Sequence, residues 1–246
     1  DINYHVTGSI RLAHSPERVD EFRHVASQAR AQGIEFELLT PAEVRARHPF
    51  VVTDGIRAGL YDPHDGDIDP AQLTQALARG ARDAGAEIHR QARVTAIERT
   101  RSGEWRITTT KGVIQAAKVI NAAGYRGGEV AAMVGEYLPI VTLSHQYLVT
   151  EEIPELVARG AERLPLLRDP DVSYYLRQEK HGLILGPYER QATAHWLDRI
   201  PDEFAHQLFD GDLSRIETYI ENACGRVPIL GPVGIRTVID GPIPYA

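Results

Sequence analysis

Strand-like alternation occupies both ends of this chain and a block of different rhythm lies between them, and that order constrains the fold more than any other feature. His5–Ala13 sets Val6, Gly8, Ile10 and Leu12 against Thr7, Ser9 and Arg11, the period of a half-buried strand. Ile140–Thr150, Ser173–Arg177 and Leu183–Tyr188 resume the alternation after Pro139, and Ile235–Ile239 closes the series. The middle reads as short strands with tight turns: Glu87–His89, Ala92–Glu98, Trp105–Thr109, Val113–Gln115 and Lys118–Ile120. A chain that leaves one sheet, builds a second body and returns makes two interwoven domains. The expected architecture is mixed, α+β with α/β character, divided as 1–66, 67–136, 137–240 and 241–246.

Helix signals fall between the strands. Ser15-Pro16-Glu17 supplies an N-cap, a proline at the first helical position and an early acid, and helical spacing then runs to Gly33. Thr40-Pro41-Ala42-Glu43 has the reciprocal capping pattern. Asp69 precedes Pro70 and caps an amphipathic run, Ala71–Ala84, that Gly85 stops. Further helices are expected at Gly128–Val134, Asp202–Leu208 and Ser214–Ala223, and short strands at Glu35–Leu39 and Ile56–Tyr61.

Composition narrows the function. A net charge of −7 argues against nucleic acid and against an anionic membrane surface. No run approaches ~20 apolar residues. The single cysteine, Cys224, excludes an intramolecular disulfide and a cysteine-rich metal site. Asp62–Asp69 (DPHDGDID) looks superficially like a calcium loop but has no glutamate at the closing position, so no metal is expected. No Gly-x-Gly-x-x-Gly, phosphate loop, zinc-protease motif or nucleophile elbow occurs. On these grounds alone the chain is a mixed α/β globular protein.

Longer ordered matches go further. Val119-Ile120-Asn121-Ala122-Ala123-Gly124 resembles the strand-turn that lies near FAD in flavoproteins of the D-amino-acid-oxidase type. His5–Ala13, Gly59–Pro63, Gly66–Pro70, His145–Thr150, Ser173–Glu179, Leu185–Glu189 and Gly241–Tyr245 are similar, in order, to blocks of the dimethylglycine dehydrogenase family, with sarcosine dehydrogenases as nearest competitors. The resemblance spans essentially the whole chain. It implies a two-domain D-amino-acid-oxidase-like fold, with an antiparallel-sheet substrate domain interleaved with an incomplete FAD-binding domain. It also implies that the family's glycine-loop segment and flavin-linked histidine precede Asp1, and that a folate-binding region follows Ala246. The 246 residues alone are then expected to be inactive and to bind no FAD stably.

By that resemblance the chemistry is oxidative demethylation of an N-methylated glycine by hydride transfer to FAD, with tetrahydrofolate as a further ligand elsewhere. The electron acceptor is open. The compartment is the bacterial cytoplasm, or the mitochondrial matrix in a eukaryote. Alternatives are a silent relative that kept only the fold, or an oxidase of glycine or sarcosine. His145 is the first catalytic candidate, against a hydrogen-bonded strand histidine. Tyr175 follows, with Tyr174 beside it; alternation sends the two to opposite faces, so only one faces the site. Arg177, on the face of Tyr175, is the candidate for holding the carboxylate, against a surface ion pair. Val94, Asn121, Ala122, Ala123, Gly124, Gly241 and Pro242 are the cofactor candidates, against a core strand position for Val94 and ordinary turns for the rest.

Overall fold

The computed structural model describes residues 2–246. They form two compact units, one of 2–73, 145–192 and 208–240, the other of 74–144, 193–207 and 241–246.

The larger unit is built on one sheet, ordered Val141–Thr150, Gly182–Pro187, Tyr174–Glu179, Leu166–Asp169, Ser9–Ala13, Ala58–Asp62, Glu37–Leu39. All neighbours are antiparallel except Leu166–Asp169 and Ser9–Ala13, which run parallel with Arg168 opposite Arg11. The strand Ile235–Tyr245 pairs with Val141–Thr150. The two faces differ. Leu148, Leu185, Leu183, Leu176, Leu167, Ile10 and Leu12 project to one side, where they form the main core with Val44, Leu156 and Ala223 from three helices and Ile216 from the cap of the last. Each fully buried leucine contributes roughly 1.5–3 kcal/mol, so that side sets the register. On the other side, the helix Pro16–Ala31 covers Ala13, Ala58 and Leu60 with Phe22 and Ala26. The remainder of that side carries tyrosines and charged groups.

Capping follows the sequence. Ser15 Oγ accepts from Arg18 N, and the Thr40–Glu43 box is closed in both directions. Asp69 Oδ1 accepts from Ala71 N and Gln72 N at the start of Pro70–Asp83. The expected strand His5–Ala13 is broken in two, Tyr4–Val6 and Ser9–Ala13. Gly8 makes the break: it sits at φ +74°, and a Cβ there would stand 2.5 Å from the Tyr61 ring.

The smaller unit holds the antiparallel meander Val94–Arg99, Trp105–Thr109, Gly112–Ala116 and the helix Gly127–Ala132. Three expectations fail in it. Glu87–His89 is irregular, because no described strand pairs with it. Lys118–Ile120 is neither a strand nor buried: it too lacks a pairing partner, and Ile120 is 89% exposed. Asp202–Leu208 is not a helix. Arg126 takes the carbonyls of Pro201 and Phe204 at 2.7 and 3.0 Å, and the Phe204 ring packs on Trp196 with centroids 4.4 Å apart. These tertiary contacts hold the segment in turns. Gly241 and Pro242, the cofactor candidates weighed against an ordinary turn, lie inside the strand Ile235–Tyr245 and form no turn. Among the described residues no helix is long and apolar enough to cross a membrane.

Candidate functional site

The polar face of the large sheet gathers the candidates of the larger unit. Register places Tyr175 opposite both Gly186 and Arg168, Arg177 opposite Ile184, and Ile184 opposite Val149. Alternation then puts His145 and Tyr147 on the same side. The rings meet there: Tyr175 and Tyr188 have centroids 6.0 Å apart, and His145 and Tyr188 5.9 Å apart, edge to face. A residue without a side chain is needed beneath them, because a Cβ on Gly186 would stand 2.2 Å from Tyr175 Cζ. Burial, then the neighbouring Tyr188, push the Tyr175 phenol above its ordinary value, so it remains a neutral donor at physiological pH.

Two cavities open on this face. One, of about 400 Å³, is lined by Tyr147, Val149, Ile184, Arg177, Glu179 and Arg236, among others. The second, of about 360 Å³, lies between Arg11, Phe22, Arg168, Tyr175 and Tyr188. Arg177 sits at the first with Nη1 2.7 Å from Glu179 Oε2. The two sequence readings for Arg177 therefore coexist: it is ion-paired and it lines a cavity. Arg236 was missed in the sequence. Its signal, an arginine five residues before the Gly241-Pro242 pair, has meaning only once Ile235–Tyr245 pairs with the strand of Tyr147.

Tyr174 goes the other way. It is buried in the main core, and burial followed by the Asp169 charge pushes its phenol up. His145, Tyr175 and Arg177 share one face of the sheet, where Tyr188 joins the rings of His145 and Tyr175, and Tyr174 turns to the other face.

His145 is buried, with Nδ1 3.3 Å from Glu189 Oε2. Burial pushes the Glu189 carboxyl up, but the adjacent His145 ring, the hydrogen bond from Gln146 and the charge of Arg215 outweigh it and hold the group below the usual carboxylate range. His14, Asp169 and Asp171 offer three ligand atoms within 4.8 Å of one another. Guanidinium groups already balance that charge: Arg18 grips Asp171 at 3.0 and 2.8 Å, and Arg226 Nε stands 3.9 Å from Asp169.

In the smaller unit four of the cofactor candidates, Asn121, Ala122, Ala123 and Gly124, form a small turn. Asn121 builds it, with Oδ1 accepting from Ala123 N at 3.2 Å and Nδ2 donating to Gly127 O at 2.8 Å. Asn121 therefore shapes the backbone and has little left to offer a ligand. Ala122, Ala123 and Gly124 are exposed, and Gly124 at φ +56° has open space where a Cβ would stand. An apolar cavity of about 230 Å³ adjoins the turn, lined by Val119, Ile97 and Trp105. An uncovered glycine turn beside an apolar hollow fits a cofactor that packs against main chain. Val94 is half-buried at a register shift in its strand.

The model of the DAO family, FAD dependent oxidoreductase, matches residues 1–245. Mitochondrial dimethylglycine dehydrogenase of Rattus norvegicus is 42% identical over 250 residues, covering 100% of this chain and 29% of that protein. Mitochondrial sarcosine dehydrogenase of Homo sapiens is 35% identical over 243 residues, covering 96% of this chain and 25% of its own length. The chain thus spans less than a third of these relatives. Among solved structures, L-proline dehydrogenase from P. horikoshii superposes with a TM-score of 0.80 at 22% identity, covering 98% of this chain and 61% of that one. The D-amino-acid-oxidase-like fold expected from the sequence is borne out, and the chain belongs to the FAD dependent oxidoreductase family.

Proposed function

We propose that the protein is an FAD-dependent amine oxidoreductase acting on N-methylated glycine, dimethylglycine or sarcosine. The observation that carries this reading is the single sheet face bearing His145, Tyr147, Tyr175 and Arg177, with Tyr188 packed on it. The relatives named as dimethylglycine and sarcosine dehydrogenases support it. FAD, when bound, accepts the hydride.

The side chains supply the rest. Arg177, with Arg236 across the same cavity, offers guanidinium donors to the substrate carboxylate. The neutral Tyr175 hydroxyl orients the substrate, and its ring with that of Tyr188 walls off water. His145 takes up the proton of the substrate ammonium, leaving the amine lone pair free for oxidation. Val94, the turn Asn121–Ala122–Ala123–Gly124, and Gly241 with Pro242 are the residues proposed to hold FAD. Tetrahydrofolate as one-carbon acceptor belongs to the same proposal and is supported by the block resemblance. The mitochondrial relatives favour the matrix if the source is eukaryotic, and the arginine-rich composition favours a bacterial cytoplasm otherwise.

Anaerobic mixing of the full-length flavoprotein with dimethylglycine, sarcosine or glycine tests the reading. Bleaching of the flavin band by the N-methylated substrates ahead of glycine is expected. No bleaching by any of them overturns it, and faster bleaching by glycine reassigns the enzyme as a glycine oxidase.

A further inference from the structure

Behind His145 runs a chain of charged and polar side chains. Glu189 lies next in sequence to Tyr188, its side chain 3% exposed. Both of its oxygens accept. Gln146 Nε2 donates to Oε1 at 3.2 Å, and Arg215 Nη2 donates to Oε2 at 2.9 Å. Arg215 is anchored in turn by Asp240, whose Oδ2 is 3.0 Å from Nη1 and whose carbonyl accepts from Phe209 N at 2.9 Å. Gln146 is fixed independently, donating to Asp212 O at 2.9 Å while its own oxygen accepts from Asp212 N.

A carboxylate buried this deeply costs several kcal/mol unless it is paired, and a purely structural pair with Arg215 alone would satisfy it. Here two acids, Glu189 and Asp240, stand against one arginine. Glu189 also directs the oxygen that Arg215 holds toward His145 Nδ1, 3.3 Å away. Among the groups that face this imidazole are Glu189 from the loop after Gly182–Pro187 and Tyr188 from the same loop, with Arg215 behind the carboxylate. Beyond them Asp171, Arg190 and Arg215 line a cavity of about 480 Å³ that Glu189 also borders. A carboxylate on one ring nitrogen fixes the tautomer, orients the ring and stabilises the imidazolium that forms when the other nitrogen takes a proton.

We infer that Glu189 is the positioning residue of His145, holding its Nδ1–H tautomer and stabilising the protonated ring while Arg215 and Asp240 keep the carboxylate in place. This rests on the reading of His145 as the proton acceptor for the substrate amine.

The test is Glu189→Gln, which keeps the shape and removes the charge. The expected result is a kcat about ten- to a hundred-fold lower, little change in KM, and an acidic limb of kcat/KM moved to lower pH by about one unit. The ring resonances of His145, assigned by their loss in His145→Gln, should change protonation at correspondingly lower pH. Glu189→Asp, which keeps the charge on a shorter arm, should restore most of the displacement and serves if the amide variant does not fold. A folded Glu189→Gln protein with an unmoved pH limb and unmoved ring titration overturns the inference. Should no N-methylated glycine reduce the wild-type flavin, the functional reading fails, while the ring titration still decides the role of Glu189.

Discussion

The ring of Tyr175 lies across Gly186 so closely that a β-carbon there would stand 2.2 Å from Cζ. The strand pair opposes the two residues directly, so their backbones cannot part without breaking the ladder and the ring is what must move. Gly186→Ala must therefore turn the tyrosine out of place. A stability loss of about 1–3 kcal/mol is expected, read as a drop in melting temperature, with kcat on dimethylglycine at least about ten-fold lower. Wild-type kinetics in a destabilised variant would remove Tyr175 from the site.

Tyr174 separates packing from chemistry. Its hydroxyl is buried with no hydrogen-bond partner among the described residues. Tyr174→Phe should leave kcat unchanged and be neutral or stabilising by up to about 1 kcal/mol, because the lost hydroxyl was unsatisfied. Tyr175→Phe should instead lower kcat. Equal losses in both variants would contradict the division of the two faces.

Arg177 carries a partner that competes with substrate. Arg177→Ala should raise the KM for dimethylglycine by about ten-fold or more. Glu179→Gln frees the guanidinium, now 2.7 Å from the Glu179 carboxylate, and should not raise KM. An unchanged KM in Arg177→Ala removes the residue from carboxylate binding.

His48 makes stability depend on pH. Burial lowers its imidazole from 6.5 to about 4. Between those values the unfolded chain binds a proton that the folded protein does not, so stability falls as pH drops through that window and is unaffected by this group above it. The full loss is about 3 kcal/mol. Urea midpoints from pH 7 to 4 should decline in the wild type and decline less in His48→Gln. Identical slopes would place the pH dependence elsewhere.

The elements legible in the sequence were those whose signals are local. The Ser15, Thr40 and Asp69 caps need only neighbouring backbone donors, and they appear as read. The alternation at His145, Tyr175 and Arg177 survives because one side of the sheet must face leucines. Segments that failed depend on partners distant in sequence. Lys118–Ile120 has the composition of a buried strand, but a strand is a pairing relation and no described strand runs beside it. Asp202–Leu208 has helical spacing, overruled by Arg126 and Trp196. The same limit hid Glu189 and Arg236. Each is unremarkable in its own stretch and acquires meaning from a residue more than forty positions away, Glu189 from Gln146 and Arg236 from Arg177.

The strand Val141–Thr150 presents an imidazole to one side and, at the next position, an amide to the other. A one-residue insertion or deletion upstream within that strand would exchange them, sending Gln146 or Ser144 to the place of His145 and leaving the Asp212 loop without its anchor. The segment should accordingly accept many substitutions at Val141 or Leu143 yet admit no change of length. A library that varies length and identity separately would expose that contrast.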